Sequence, residues 1–378
     1  MISSFDELLV RAALDHTRRA DEAWELLRVD LDVDQLGPAQ QRLLPTLHRN
    51  LVARHVQDVD LERLKGVYRR TWSENQLLCQ QASEALDALR QNGVPTMLLK
   101  GAGLVSLGVH SFGARPMRDI DILVPTAQAN RALDALAREG WGPKRDPHIN
   151  SFDHAQTLAR CGGREVDLHW HIAHALQLPG AHAGSDDDFW QRAVAVTFGG
   201  ATTTTLSPTD HLMHAIVHGM QFHETALVWV LDAAALIDTG LIDWELLVAE
   251  AGCRHVVLPV RSALGWLHDH DIRSIPTAVL AQLADAPVSK RDVRNDRLRN
   301  QPPPSGLSDI RLGLWRWAAA NTHNSVPRAI VTLPEFLRRY WHLDREWQVP
   351  ARAARYAMAR IRRDLGGRPR ERGPGQPR

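Results

Sequence analysis

Two carboxylates one residue apart, Asp119 and Asp121, stand in the stretch Arg115-Pro-Met-Arg-Asp-Ile-Asp-Ile-Leu-Val124. Strict alternation of acidic and apolar residues predicts a β-strand. On it both carboxylates project to one face, with Cβ atoms about 6–7 Å apart. Ile120, Ile122 and Val124 go to the other face and bury it. Like charges on one face repel, and burying them as neutral acids is costly. A divalent cation between them removes both difficulties, and hard oxygen donors suit Mg²⁺ or Mn²⁺. A third acid, Asp167, lies between Val166 and Leu168 in another strand pattern, REVDLHWHI. If the two strands pair side by side, Asp167 approaches the same cation. A pair of acids alone is also a common solvated strand edge, so the three together carry the pattern.

Ahead of the acids, Lys100-Gly101-Ala102-Gly103 ends an apolar run, VPTMLLKG, and opens a short helical segment. That arrangement places backbone N–H groups and a helix start where a phosphate binds. The chain also holds 19 histidines. His211, His214 and His218 fall on one face of a helix, while His169, His171 and His174 follow Asp167. Such groups can ligate zinc, but no HExxH occurs. A plain structural role remains open for most of them, and His169 and His218 are the candidates for substrate contact. Trp170 either packs in the core or stacks on a base. Asp232, inside the apolar run ALVWVLDAAALI, must pair with an arginine or face a cleft.

The elements that position these residues change in character along the chain. Residues 1–92 read as helical, with one helix opening at Asp60 and a longer one over 71–91 that Asn92-Gly93 closes. Residues 93–205 hold the strands and helices of a small mixed unit. VPTMLLKG, DIDILV, HAQTLAR and REVDLHWHI are its strands, the last two separated by a turn at Cys161-Gly162-Gly163. TAQANRALDALAREG is a helix with Thr126 as N-cap and Gly140 just past its end. Residues 206–363 are helical again, starting at Ser207-Pro208-Thr209-Asp210, with spans near 208–222, 225–238, 243–253 and 255–269. The basic stretch Val288–Ser308 reads as a surface loop, and 364–378 as a disordered basic tail. The fold class is therefore α+β, a small mixed sheet between helical regions.

The chain has 378 residues, with Lys+Arg 45 against Asp+Glu 44. That balance excludes a globally basic nucleic-acid coat. Three separated cysteines argue against a disulfide framework. No signal peptide or membrane-spanning run is visible, so a cytoplasmic protein is expected.

KGAGLVSLG, RPMRDIDILV and EVDLHWHI, in that order, resemble the mostly bacterial family of uncharacterised nucleotidyltransferases, within the superfamily of DNA polymerase beta. The resemblance covers about residues 70 to 240, including the histidine-rich helix. It implies transfer of an NMP from an NTP to a hydroxyl, with pyrophosphate leaving. Asp119 and Asp121 would hold Mg²⁺ or Mn²⁺, and Asp167 would complete a second metal site or act as base. Lys100, Gly101, Gly103, Arg115 and Arg118 would meet the nucleotide. Ala102 stands where many relatives have serine, so no hydroxyl serves the phosphate there. The acceptor stays open among a small molecule, a peptide or protein, and tRNA. Two other readings are a catalytically inactive nucleotide-binding or scaffold protein, and a histidine-based zinc hydrolase.

Overall fold

The computed structural model describes residues 3–144, 154–160, 162, 165–173, 176, 184–219, 227–299, 310, 313–314, 317, 326–341 and 343–365. The chain divides into two compact units, Met1–Asn300 and Gln301–Arg378. The boundaries expected at 92 and 205 thus fall inside the first unit. Most of the expected tail, 366–378, lies outside the described residues, as does His174.

The first unit is organised by a seven-stranded mixed sheet of order β3-β4-β5-β2-β1-β7-β6. Its strands are β1 (Met97–Leu98), β2 (Asp119–Leu123), β3 (Gly142–Pro143), β4 (Ala155–Ala159), β5 (Glu165–His169), β6 (Val194–Phe198) and β7 (Ala201–Thr205). β2 runs antiparallel to β1 and parallel to β5, and β4 runs antiparallel to β5. The architecture is α+β, a mixed sheet among many helices, as the sequence implies.

Alternation along β2 and β5 separates two cores. Ile120, Ile122, Val124, Val166 and Leu168 pack behind the sheet against α5 (Leu61–Gln91) and α7 (Ala129–Arg138), through Leu78, Ala82, Leu86, Leu89 and Leu136. Leu123, of opposite parity, joins a larger core. That core includes α1 (Ser4–Leu14), α2 (Arg18–Asp30), α4 (Leu44–Ala53), α9 (Pro208–Gly219) and α10 (Val228–Asp238). Two short helices, α3 (Pro38–Gln41) and α8 (Asp187–Gln191), lead into α4 and β6. Helices α11 (Trp244–Cys253), α12 (Val257–Asp269) and α13 (Thr277–Asp285) complete it.

Several local expectations need correction. α5 is one 31-residue helix, where two were expected. Thr126 is not an N-cap: it opens a short 3₁₀ turn, and its hydroxyl donates to the Trp170 carbonyl at 2.7 Å. Lys290–Arg299, expected as loop, is helix α14. Ser289 and Asp292 start it as a capping box, each backbone N–H donating to the other's side-chain oxygen, and its charged residues tolerate helix well. The β6–β7 hairpin went unassigned, although Gly199-Gly200 supplies the two positive φ angles, 59° and 83°, that a tight hairpin turn requires. By contrast Gly140, at φ 82°, ends α7 as expected.

In the second unit, helices Val326–Tyr340 and Gln348–Leu365 are described, with Phe336, Leu337, Trp341 and Val349 buried. No described helix in either unit is long and apolar enough to cross a membrane.

Candidate functional site

Parallel pairing of β2 with β5 sets Asp121 directly opposite Asp167, and Asp119 opposite Glu165. Because the register is even, the acids share the sheet face away from α5 and α7. His169, two residues beyond Asp167, falls on that face too. Asp121, Asp167 and His169 each bring a donor atom to within 4.8 Å of the others. Asp119 lies outside this group of three but inside its electrostatic field. Asp167 has a buried Oδ1 with no hydrogen-bond partner. A buried, unsatisfied carboxylate oxygen beside a second carboxylate and an imidazole fits a divalent cation. The donor set of two oxygens and one nitrogen suits Mn²⁺ as well as Mg²⁺.

Lys100 donates from Nζ to Asp121 Oδ1 at 2.5 Å, and His169 Nε2 lies 3.0 Å from the same oxygen. Burial alone would raise the Asp121 carboxyl, but the Lys100 ammonium and the His169 contact hold it well below the usual carboxylate range. Burial likewise works against the Lys100 charge, and Asp121 outweighs it, so the ammonium is held above its ordinary range. Asp119 has no such counter-ion in contact. Burial and the neighbouring Asp121 push its carboxyl up to about 6.

Lys100 reaches Asp121 from an unusual backbone. Its φ is +48°, in the left-handed region that a non-glycine residue enters at about 1–2 kcal/mol. The turn from β1 into α6 (Lys100–Ser106) holds it there. Both glycines that follow are demanded by close approach. A Cβ on Gly101 would stand 2.8 Å from Met117 Cγ, and one on Gly103 2.4 Å from Thr205 Oγ1. Gly101 borders the cleft described below. The Gly103 amide is already bonded to the Leu99 carbonyl, so this glycine serves the packing of α6 on β7 and α9.

Beside the acids is a cleft of about 270 Å³. Arg42, Lys100, Arg118, Asp119 and Asp121 border it together with His214, His218 and Trp229. Arg115 and Asp232 border it too, but they face each other. Arg115 donates to both Asp232 oxygens, at 2.7 and 2.8 Å, and His110 Nε2 lies 3.1 Å from Asp232 Oδ1. Asp232 is therefore both salt-bridged and at the cleft. Burial would raise its carboxyl, but Arg115 and His110 hold it well below the usual range.

Of the histidines of α9, His211 and His214 are buried and His218 half-buried, and all three are held neutral. His211 places Nε2 2.9 Å from Thr205 Oγ1, whose own proton goes to the Leu98 carbonyl, so His211 is the donor. Burial brings His211 and His218 down to about 3. Burial also holds His214 well below its ordinary range, and its buried Nε2 has no partner. Among the described residues these three do not bring their ring nitrogens together as a metal-binding group, so no zinc site forms on α9. Trp170 is 2% exposed and fills the core behind the sheet, on the side opposite the acids.

Of the sequence-derived candidates, the structure brings together Lys100, Gly101, Arg115, Arg118, Asp119, Asp121, Asp167, His169 and His218. It sets Gly103 and Trp170 into packing. Arg42 and His110 were missed. Arg42 and His110 lie on segments whose spacing to the acids carries no periodic signal, whereas His214 was visible on the helix face but without its unsatisfied nitrogen.

A family model described as uncharacterised nucleotidyltransferase matches residues 38–270, well over half of the chain. Among solved structures, the chain is similar to an antigenic nucleotidyltransferase-like protein from Paracoccidioides brasiliensis. The identity is 15% and the TM-score 0.34, over 58% of this chain and 97% of that one. No curated protein matches. With the acids of β2 and β5 in register inside the matched region, the chain belongs to the family of uncharacterised nucleotidyltransferases.

Proposed function

We propose that the protein is a metal-dependent nucleotidyltransferase that moves an NMP from an NTP to an acceptor hydroxyl and releases pyrophosphate. The observation that carries this reading is the in-register pair Asp121 and Asp167, with His169 beside it and an unsatisfied Asp167 oxygen, at the edge of a cleft bearing arginines. Asp121, Asp167 and His169 would hold one cation, and Asp119 with Asp121 a second. Bound Mg²⁺ or Mn²⁺ would neutralise the triphosphate and lower the pKa of the attacking hydroxyl. The acceptor oxygen forms a bond to the α-phosphorus as the bond to pyrophosphate breaks in line with it. Asp167 is placed either to hold an ion or to take the acceptor proton. Lys100 keeps Asp121 ionised and Arg118 meets phosphate oxygens. Neutral His218 and Trp229 line the cleft where the rest of a substrate lies. We assign the work to the cytoplasm, where NTPs are supplied. The acceptor is a small molecule, a peptide or protein, or tRNA.

Calorimetric titration of ATP, GTP, CTP and UTP, with and without Mg²⁺, tests the reading. Wild type should bind one or more of them only with Mg²⁺, and the Asp121→Asn/Asp167→Asn variant should bind none. Metal-dependent binding that survives both substitutions would place the nucleotide elsewhere and defeat the assignment.

A further inference from the structure

The cleft holds more cations than it neutralises internally. Arg115 is bound by both oxygens of Asp232, and Lys100 by Asp121. Once these pairs are set aside, Arg42 and Arg118 border the cleft, and neither side chain forms a hydrogen bond or ion pair among the described residues. Arg118 is exposed at the end of the segment leading into β2. Arg42 is different in origin: it follows α3 and precedes α4, in the N-terminal helices, and is half-buried. Burial, with Arg115 and Arg118 nearby, brings its guanidinium down to about 10. A cation partly removed from water, among like charges and without a partner, is unfavourable in the empty protein. An anion entering the cleft reverses that.

The neighbouring acids narrow the choice of anion. Asp119 and Asp121 border the same cleft and repel a bare anion. A ligand that suits both groups carries a divalent cation at one place and uncompensated phosphate oxygens at another, which describes a metal-bound polyphosphate. Planar guanidinium forks match phosphate oxygens better than any other side chain does.

We propose that Arg42, together with Arg118, forms a subsite for the outer phosphates of a metal-bound nucleoside triphosphate, so that the N-terminal helical region completes the nucleotide site. The proposal rests on the nucleotidyltransferase reading above. It also gives Arg42 a signature that a structural arginine lacks: its loss weakens polyphosphate binding without weakening the fold.

The experiment titrates Mg²⁺-tripolyphosphate into the full chain by calorimetry, for wild type, Arg42→Gln and Arg42→Lys, and melts each protein without ligand. Arg42→Gln should bind at least ten-fold more weakly and melt at or above the wild-type temperature. Arg42→Lys, which keeps the charge but not the fork, should fall between the two in affinity. Equal affinity of wild type and Arg42→Gln overturns the proposal alone. So does a lowered melting temperature in Arg42→Gln, which would make Arg42 a structural cation. Wild type that binds neither Mg²⁺-tripolyphosphate nor any Mg²⁺-NTP would overturn the proposal and the nucleotidyltransferase reading together.

Discussion

Two buried aspartates in this protein have the same company and opposite uses. Asp232 is held by Arg115 and His110, and Asp121 by Lys100 and His169. Arg115 grips both oxygens of Asp232 as a fork, and its remaining contact is the Pro116 carbonyl. That trio joins α10 to the segment before β2 and is closed to a ligand. At Asp121 both contacts fall on one oxygen, the cation is a lysine with one point of attachment, and the carboxylates of Asp119 and Asp167 stand nearby without an ion pair among the described residues. A fork fixes geometry, whereas a point charge on a flexible stem can move to another anion. The first arrangement clamps the site together, and the second leaves it open to chemistry.

Breaking the clamp should have the largest effect on stability. Arg115→Met leaves Asp232 buried with only His110 and is expected to cost about 3–5 kcal/mol in urea denaturation. Replacing Arg115 and Asp232 together with apolar residues should cost less than Arg115→Met alone. Additive losses would mean that the pair is not the unit described here.

The open trio should respond in the reverse way. Asp121→Asn takes the carboxylate from Lys100 and His169 but also relieves its repulsion with Asp119, so stability should fall by less than in Arg115→Met. Its Mn²⁺ affinity, read by electron paramagnetic resonance, should fall by about a hundred-fold or more. A large stability loss with metal binding intact would erase the contrast between the two aspartates.

Acid sharpens the comparison further. His110, His211, His214 and His218 are all lowered by burial, so the unfolded chain binds more protons than the folded one below pH 6.5. Their contribution is complete above 6.5 and is lost as pH falls toward the folded values. Between pH 7 and 5.5 His211 and His218, both brought down to about 3, should each lose about 1 kcal/mol, with His110 and His214 acting in the same direction. Asp119, raised to about 6, works in the opposite sense as it takes up its proton, but it is one group against four. Thermal melts at pH 7 and 5.5 should therefore show a lower midpoint in acid. A midpoint independent of pH would show that these imidazoles are not buried and neutral.

A smaller effect is expected at Lys100: Lys100→Asn leaves the buried Asp121 carboxylate with His169 alone, so it should lower stability, but by less than Arg115→Met does, because asparagine suits the left-handed backbone. It should also tighten Mn²⁺ binding in the absence of nucleotide, because Asp121 loses its competing cation. Weaker Mn²⁺ binding by this variant would make Lys100 a support for the metal site rather than its competitor.

Much of this contrast was legible in the sequence, and the reasons differ by residue. Asp119, Asp121 and Asp167 show through period-two alternation, which is a local property of each strand. Their meeting depends on the parallel register of β2 and β5, to which alternation is silent, although His169 shares the parity of Asp167. The alternatives left open for Asp232, salt bridge or cleft, are both realised because Arg115 comes from 117 positions away in the chain. Arg42 carries no signal, since it enters the cleft through the packing of α3 and α4. The β6–β7 hairpin, by contrast, was written in Gly199-Gly200 between β-branched runs.

The most direct measurement is a Mn²⁺ titration followed by electron paramagnetic resonance on wild type, Asp121→Asn/Asp167→Asn and Asp232→Asn. The account predicts that the first pair of substitutions abolishes Mn²⁺ binding in a protein that still folds. It predicts that Asp232→Asn lowers the melting temperature while the protein that remains folded still binds Mn²⁺. Mn²⁺ binding that persists without Asp121 and Asp167, or that disappears from folded Asp232→Asn, would contradict the division between an open metal site and a closed clamp.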